Sequence, residues 1–154
     1  IHYLPKDGSA ARKLGPGKGD GSPIFIEGGR SVLMTAVPEG GRDTILSCPI
    51  DGSACRTVAT PGDADFPALA PGGRHLVYVA WNPSLEVRLF DLETREVVSV
   101  PETTMSDGNP CGPRFASDDR LWVVRERNGV RQWAELEVPS LTPTGRTATI
   151  EGAC

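Results

Sequence analysis

Residues 5–14 (PKDGSAARKL) return 44 positions later as residues 49–58 (PIDGSACRTV). Pro5/Pro49, Asp7/Asp51, Gly8/Gly52, Ser9/Ser53, Ala10/Ala54 and Arg12/Arg56 are identical between the copies. A fixed offset constrains the fold before any motif does, because it describes a structural unit that is copied along the chain. A second string keeps the period: residues 23–30 (PIFIEGGR) correspond to residues 67–74 (PALAPGGR) and 113–120 (PRFASDDR), with Arg-to-Arg spacings of 44 and 46. Each copy reads as a short apolar run, a two-residue Gly-Gly or Asp-Asp turn, an Arg, and a second apolar run such as Leu76-Val77-Tyr78-Val79. That order predicts a β-hairpin in every unit.

The 154 residues are 38% hydrophobic and 23% charged, the balance of a folded globular domain. Glycine (18) and proline (14) are abundant, as short strands joined by tight turns require. No window sustains apolar spacing at i, i+3, i+4 and i+7, so the expected class is all-β. A net charge of -4 argues against holding a phosphate backbone, and no nucleic-acid partner is expected. Arg114, Arg120, Arg125, Arg127 and Arg131 gather in the last repeat, where they read as solvated strand faces paired with Glu126, Glu135 and Glu137. No apolar stretch is long enough to span a bilayer, so no membrane insertion by this segment is expected. The start at Ile1 rather than Met reads as a cut from a longer chain.

Cys48 and Cys55 stand where the other copy has Leu4 and Ala11, so both positions change together. They flank a turn centred on Asp51-Gly52 and would face each other across adjacent antiparallel strands. The expectation is a disulfide; the alternative is a pair of half-buried thiols, and a zinc pair fits poorly because six residues intervene. Cys111 and Cys154 hold nearly the same offset in consecutive repeats, where a second bond would staple neighbouring units unless the repeats hold them too far apart. An even cysteine count with a bridge points to an oxidising, extracytoplasmic compartment.

Reading the middle period strand by strand gives about 66–70, 75–81, 86–92 and 96–100. Four short antiparallel strands per unit is the arithmetic of a β-propeller blade; a β-sandwich has no reason to repeat at this interval. The string ALAPGGRHLVYVAWNPSLEVRLFDLETREVVSV resembles a blade of the TolB-type, WD-like propeller repeats of bacterial extracytoplasmic proteins. Residues 70–74 (APGGR) stand for the family's SPDGR element, and Asp91 for the aspartate that closes the third strand. The first and third copies lack the proline, having Ile26-Glu27 and Ala116-Ser117 in its place.

Blade boundaries fall near residues 1–18 (a half blade), 19–61, 62–104 and 105–154, about three and a half blades in one propeller segment. Propellers close with four to eight blades, so the segment belongs to a larger ring, or two copies associate to complete one of about seven.

Catalytic motifs are missing from the sequence: there is no G-x-S-x-G, no H-E-x-x-H, and two separated histidines, His2 and a surface-turn His75. No cofactor and no metal is expected. Residues 15–21 (GPGKGDG) mimic a phosphate loop without its Lys-Ser or Lys-Thr ending and read as a flexible connection. Asp20, Asp63, Asp65, Asp107 and Asn109 recur before the first strands, as turn caps or, less simply, as a row of oxygen ligands. Trp122 and Trp133 read as packing residues, whereas Trp81 with Asn82 ends a strand and is the candidate surface contact.

The reading is a non-catalytic extracytoplasmic module that binds a protein, peptide or envelope ligand across one face of the ring. The resemblance implies an envelope scaffold or the sensor of a membrane-anchored regulator such as a Ser/Thr kinase. The alternative is the propeller of a serine peptidase whose catalytic domain lies outside this chain.

Overall fold

The computed structural model describes residues 1–15, 18–37, 44–59, 64–81, 85–103 and 112–150. Asn82, Cys111 and Cys154 lie outside them, as do Asp63, Asp107 and Asn109. Two compact units divide the chain, residues 1–67 and 68–154.

In the first unit, β1 (His2–Tyr3) and β2 (Arg12–Lys13) form a two-stranded antiparallel ladder. A four-stranded sheet follows, with β3 (Lys18–Ile26), β4 (Ser31–Val37), β5 (Thr44–Pro49) and β6 (Arg56–Ala59) side by side in chain order. Lys18 to Gly21 belong to β3, so that part of the glycine-rich stretch is strand and not the flexible connection its composition suggests. The repeat relates β1 to β5 and β2 to β6: the opening ladder is the third and fourth strand of a blade.

The duplicated string folds twice into one turn. Gly8 and Gly52 donate their N–H groups to the carbonyls of Pro5 and Pro49, both at 3.3 Å. The Asp7 and Asp51 carboxylates then accept the amides of Ser9 and Ser53 at 2.9 and 2.8 Å. Those amides hold both carboxyls below the ordinary carboxylate range. Gly8 and Gly52 sit at φ +76° and +88°, which explains why this position is glycine in both copies. P-x-D-G-S is therefore preserved as turn chemistry.

Leu14, Val32, Met34, Ala36, Leu46 and Cys48 form a buried core, with Ile1, Tyr3, Ile50 and Cys55 packed against it. Half blade and first full blade thus share one apolar interface, the way stacked repeats bury faces that neither covers alone. Cys48 of β5 and Cys55, the residue before β6, are joined by a disulfide, with their Cα atoms 4.2 Å apart.

Two more four-stranded antiparallel sheets follow: β7 (Ala64–Leu69), β8 (His75–Ala80), β9 (Glu86–Asp91) and β10 (Val97–Ser99); then β11 (Arg114–Ser117), β12 (Arg120–Arg127), β13 (Val130–Glu137) and β14 (Pro143–Thr149). The boundary between the compact units falls within β7. Every residue of β8 is buried, and so is β4 from Ser31 to Ala36. Central strands covered on both faces become continuous apolar runs instead of alternating ones.

The first hairpins of the first two four-stranded sheets depart from the expected two-residue turn. Ile26 pairs with Ser31 around residues 27–30, and the Ala70 N–H donates to the His75 carbonyl at 2.8 Å around residues 71–74, so both loops hold four residues. Only the third is short, with Ser117 paired to Arg120 around Asp118-Asp119. One hydrogen bond fixes the true correspondence: Ile50, Leu92 and Val138 donate to the carbonyls of Arg30, Arg74 and Asp119. Arg120 therefore occupies the place of His75, one residue off the Arg-to-Arg alignment. His75 itself is buried at the start of β8, not on a surface turn; its Nε2 lies 3.7 Å from an Asp91 oxygen.

Asp91 closes the third strand as the resemblance implies, by organising the turn beyond it. Its Oδ1 accepts the amides of Glu93 and Thr94, and its Oδ2 accepts Arg74 Nε and Nη2 at 2.9 and 2.7 Å. The Arg74 hydrogen bonds, with the two amides, hold the Asp91 carboxyl down at about 2. A depressed carboxyl stabilises the fold at pH above its ordinary 3.8, and this contribution is lost as pH falls from there through about 2. Arg74→Gln is expected to move the Asp91 midpoint upward toward 3.8, read by side-chain carboxyl NMR titration; an unchanged midpoint would show that the amides alone set it.

Candidate binding surface

Matched positions of the second and third blades expose a difference in chemistry. On one face, β8 and β9 carry Val77, Val79, Val87 and Leu89, all buried. The corresponding places in β12 and β13 hold Trp122, Val124, Trp133 and Glu135, with Trp122 paired to Glu135 and Val124 to Trp133. An aliphatic face has become an aromatic one around a carboxylate.

Glu135 is 2% exposed, contrary to its reading as a solvated strand-face partner. A bulge in β14 places its partners: register shifts between Ala134 and Leu136, and Gly145 opposite takes φ +86°. Bulges re-aim side chains in this way. Thr144 Oγ1 donates to Glu135 Oε2 at 3.0 Å, and Arg146 Nη1 donates to Oε1 at 3.1 Å. The Arg146 guanidinium also stands 5.9 Å over the Trp122 ring, and Arg114 stands 5.9 Å over Trp133. Both tryptophans are half-buried under these cations.

Behind this cluster lies a cleft of about 240 Å³, with Glu102, Arg125, Gln132, Glu135, Arg146 and Thr147 among its walls. Arg125 donates to the Pro101 carbonyl at 3.0 Å and lies 3.5 Å from Glu102. Its Nε is buried and makes no hydrogen bond among the described residues. The cleft thus brings a buried guanidinium N–H donor and a buried carboxylate acceptor to one place.

The remaining expected residues are dispersed. Trp81, directly after β8, is 45% exposed, an aromatic surface at a strand end. Of the acidic row, Asp65 accepts the Ser22 hydroxyl at 2.8 Å and the Phe66 amide at 2.8 Å. Arg131 and Arg120 meet Glu126 and Glu137 at 3.7 and 3.8 Å, the surface pairs expected of that arginine group. A second cleft, of about 450 Å³, runs beside the Cys48–Cys55 bridge in the first unit, with Lys13, Leu14, Leu46 and Thr57 along it.

Solved structures share this arrangement of four-stranded sheets. TolB from Acinetobacter baumannii superposes with a TM-score of 0.67 at 14% identity, over 99% of this chain and 38% of that one. The fold is that of a TolB-type β-propeller. Oligogalacturonate lyase from Vibrio parahaemolyticus matches with a TM-score of 0.68 at 16% identity, over 87% of this chain and 40% of that one. The propeller domain of the Trilobed protease from Pyrococcus furiosus gives a TM-score of 0.59 at 18% identity, over 84% of this chain and 43% of that one. This propeller segment thus spans about two-fifths of the length of each of these three. No protein-family model matches the sequence, and no curated protein is recognisably similar to it.

Proposed function

We propose that this propeller segment is a non-catalytic module that binds a peptide or protein in an extracytoplasmic compartment. Support comes foremost from the third blade, where Glu135, Arg146, Trp122 and Trp133 occupy a face that is aliphatic in the second blade. Aromatic and arginine side chains anchor polypeptide ligands, and the cleft adds a buried donor and a buried acceptor. The Cys48–Cys55 disulfide supports the compartment, because such bonds persist where thiols are not kept reduced. An envelope scaffold and the sensor of a membrane-anchored regulator, such as a Ser/Thr kinase, are both roles for a module of this kind.

A second reading, the propeller of a serine peptidase whose catalytic domain lies outside this chain, draws on the likeness to the Trilobed protease propeller. Panning a displayed random peptide library against the chain tests the leading reading. Enriched peptides are expected to bind the native chain and to lose at least tenfold in affinity with Glu135→Leu, which installs the second blade's Leu89 at the matched place. Absence of enrichment, or peptides indifferent to Glu135, would reject this surface as the binding site.

A further inference from the structure

The two ends of the disulfide offer different things to a reagent. Cys48 is 0% exposed, sealed in the core with Leu14, Val32, Met34, Ala36 and Leu46, whereas Cys55 packs at the margin of that core and is only half-buried. Both line the second cleft, of about 450 Å³, which has Lys13, Ser53 and Thr57 along its walls. One cysteine of the pair is therefore open to solvent and the other is closed.

The bond stabilises its hairpin, but the turn forms without it. Between β1 and β2 the duplicated string makes the same turn with no cysteine: Gly8 donates to the Pro5 carbonyl and Ser9 to the Asp7 carboxylate, as Gly52 and Ser53 do to Pro49 and Asp51. Reduction thus keeps the turn and leaves one thiol inside the core, where a free cysteine packs as a small apolar residue, and one thiol at the cleft. An accessible cysteine beside a resolving partner is the arrangement in which thiols exchange without unfolding.

We propose that Cys55 is a thiol-exchange site, reached through this cleft by a dithiol, with Cys48 as its internal resolving thiol. The first thiolate of the dithiol attacks Cys55 Sγ; a mixed disulfide forms there as the Cys48–Cys55 bond breaks, and the electron pair leaves on Cys48 Sγ. The second thiolate attacks the reagent's own sulfur in that mixed disulfide, closes the reagent's disulfide and expels Cys55. The protein bond gains two electrons, the dithiol loses two, and each cysteine takes up one of the two protons the dithiol has given to solvent. In the reverse direction Cys48 attacks a mixed disulfide held at Cys55 and restores the native bond. Lys13 gives the cleft a cation, which draws the anionic thiolate that does the attacking.

Two single-thiol variants of residues 1–154 separate the cysteines. Under native conditions the Cys55 thiol of Cys48→Ala is expected to alkylate with iodoacetamide at least tenfold faster than the Cys48 thiol of Cys55→Ala, each site read by peptide mapping, and the two rates should converge in denaturant. If circular dichroism shows that either variant fails to fold, the native chain decides. Dithiothreitol should reduce its Cys48–Cys55 bond at a rate that sub-denaturing urea changes by less than twofold, because the attack needs no opening of the fold. Equal alkylation of the two thiols under native conditions, or a reduction rate that climbs with urea in step with amide exchange in β5, would overturn the proposal.

Discussion

Replacing Cys48 and Cys55 together with alanine is expected to lower the free energy of unfolding by about 2.5 kcal/mol, the loop-closure entropy of so short a ring. The bond joins β5 to the residue before β6, and Cys48 is fully buried in the core shared by the half blade and the first blade. Reductant should therefore destabilise the native chain more than the double variant, by a similar amount. Denaturant unfolding with and without dithiothreitol measures both. The first unit should respond most, seen as faster amide exchange in β5 and β6 than in β12 and β13. Equal stability of native and variant chains would mean that the backbone ladder and turn alone close this hairpin.

The largest contrast is expected at Glu135. Arg146→Ala removes the cation from a carboxylate that is 2% exposed and leaves Thr144 as its remaining side-chain donor. The loss of a partner to a buried charged acceptor costs about 1–3 kcal/mol. Glu135→Leu removes the charge itself and restores the residue type of the second blade, a change expected to be neutral or to stabilise by about 1 kcal/mol or more. Thermal and urea unfolding of the two variants should therefore diverge in sign or nearly so. Peptide binding is expected to fall in both. A module that gains stability and loses binding by one substitution would mark Glu135 as kept for recognition, whereas losses of stability in both variants would mark the pair as structural.

Turn chemistry was legible in the sequence because it is local. P-x-D-G-S needs an aspartate to accept an amide two residues on and a glycine at positive φ, and both requirements show as identities at a 44-residue offset. The Cys48–Cys55 pairing was readable for a related reason, since two positions facing each other across one hairpin changed together. The third hairpin was misaligned by one residue because Arg120 resembles Arg74 in type while occupying the place of His75. The hydrogen bond from Val138 to Asp119, which settles the register, leaves no trace in residue identity.

Glu135 was missed because strand alternation does not say which charged residue is covered. Gly145, a lone glycine inside a strand, was the available signal, since such glycines mark bulges. Positive φ at Arg95 and Leu141 had no signal at all: in both turns the fifth residue donates back to the first, Arg95 to Asp91 and Leu141 to Glu137.

A blade array that opens with a half blade is the central claim, and native-state amide exchange of residues 1–154 tests it most directly. The account predicts slow exchange in β4, β5, β8, β9, β12 and β13, and fast exchange at His2 and Leu4 beside a protected Tyr3. Protection of His2 and Leu4 equal to that of Leu46 and Cys48 in the free chain would contradict it.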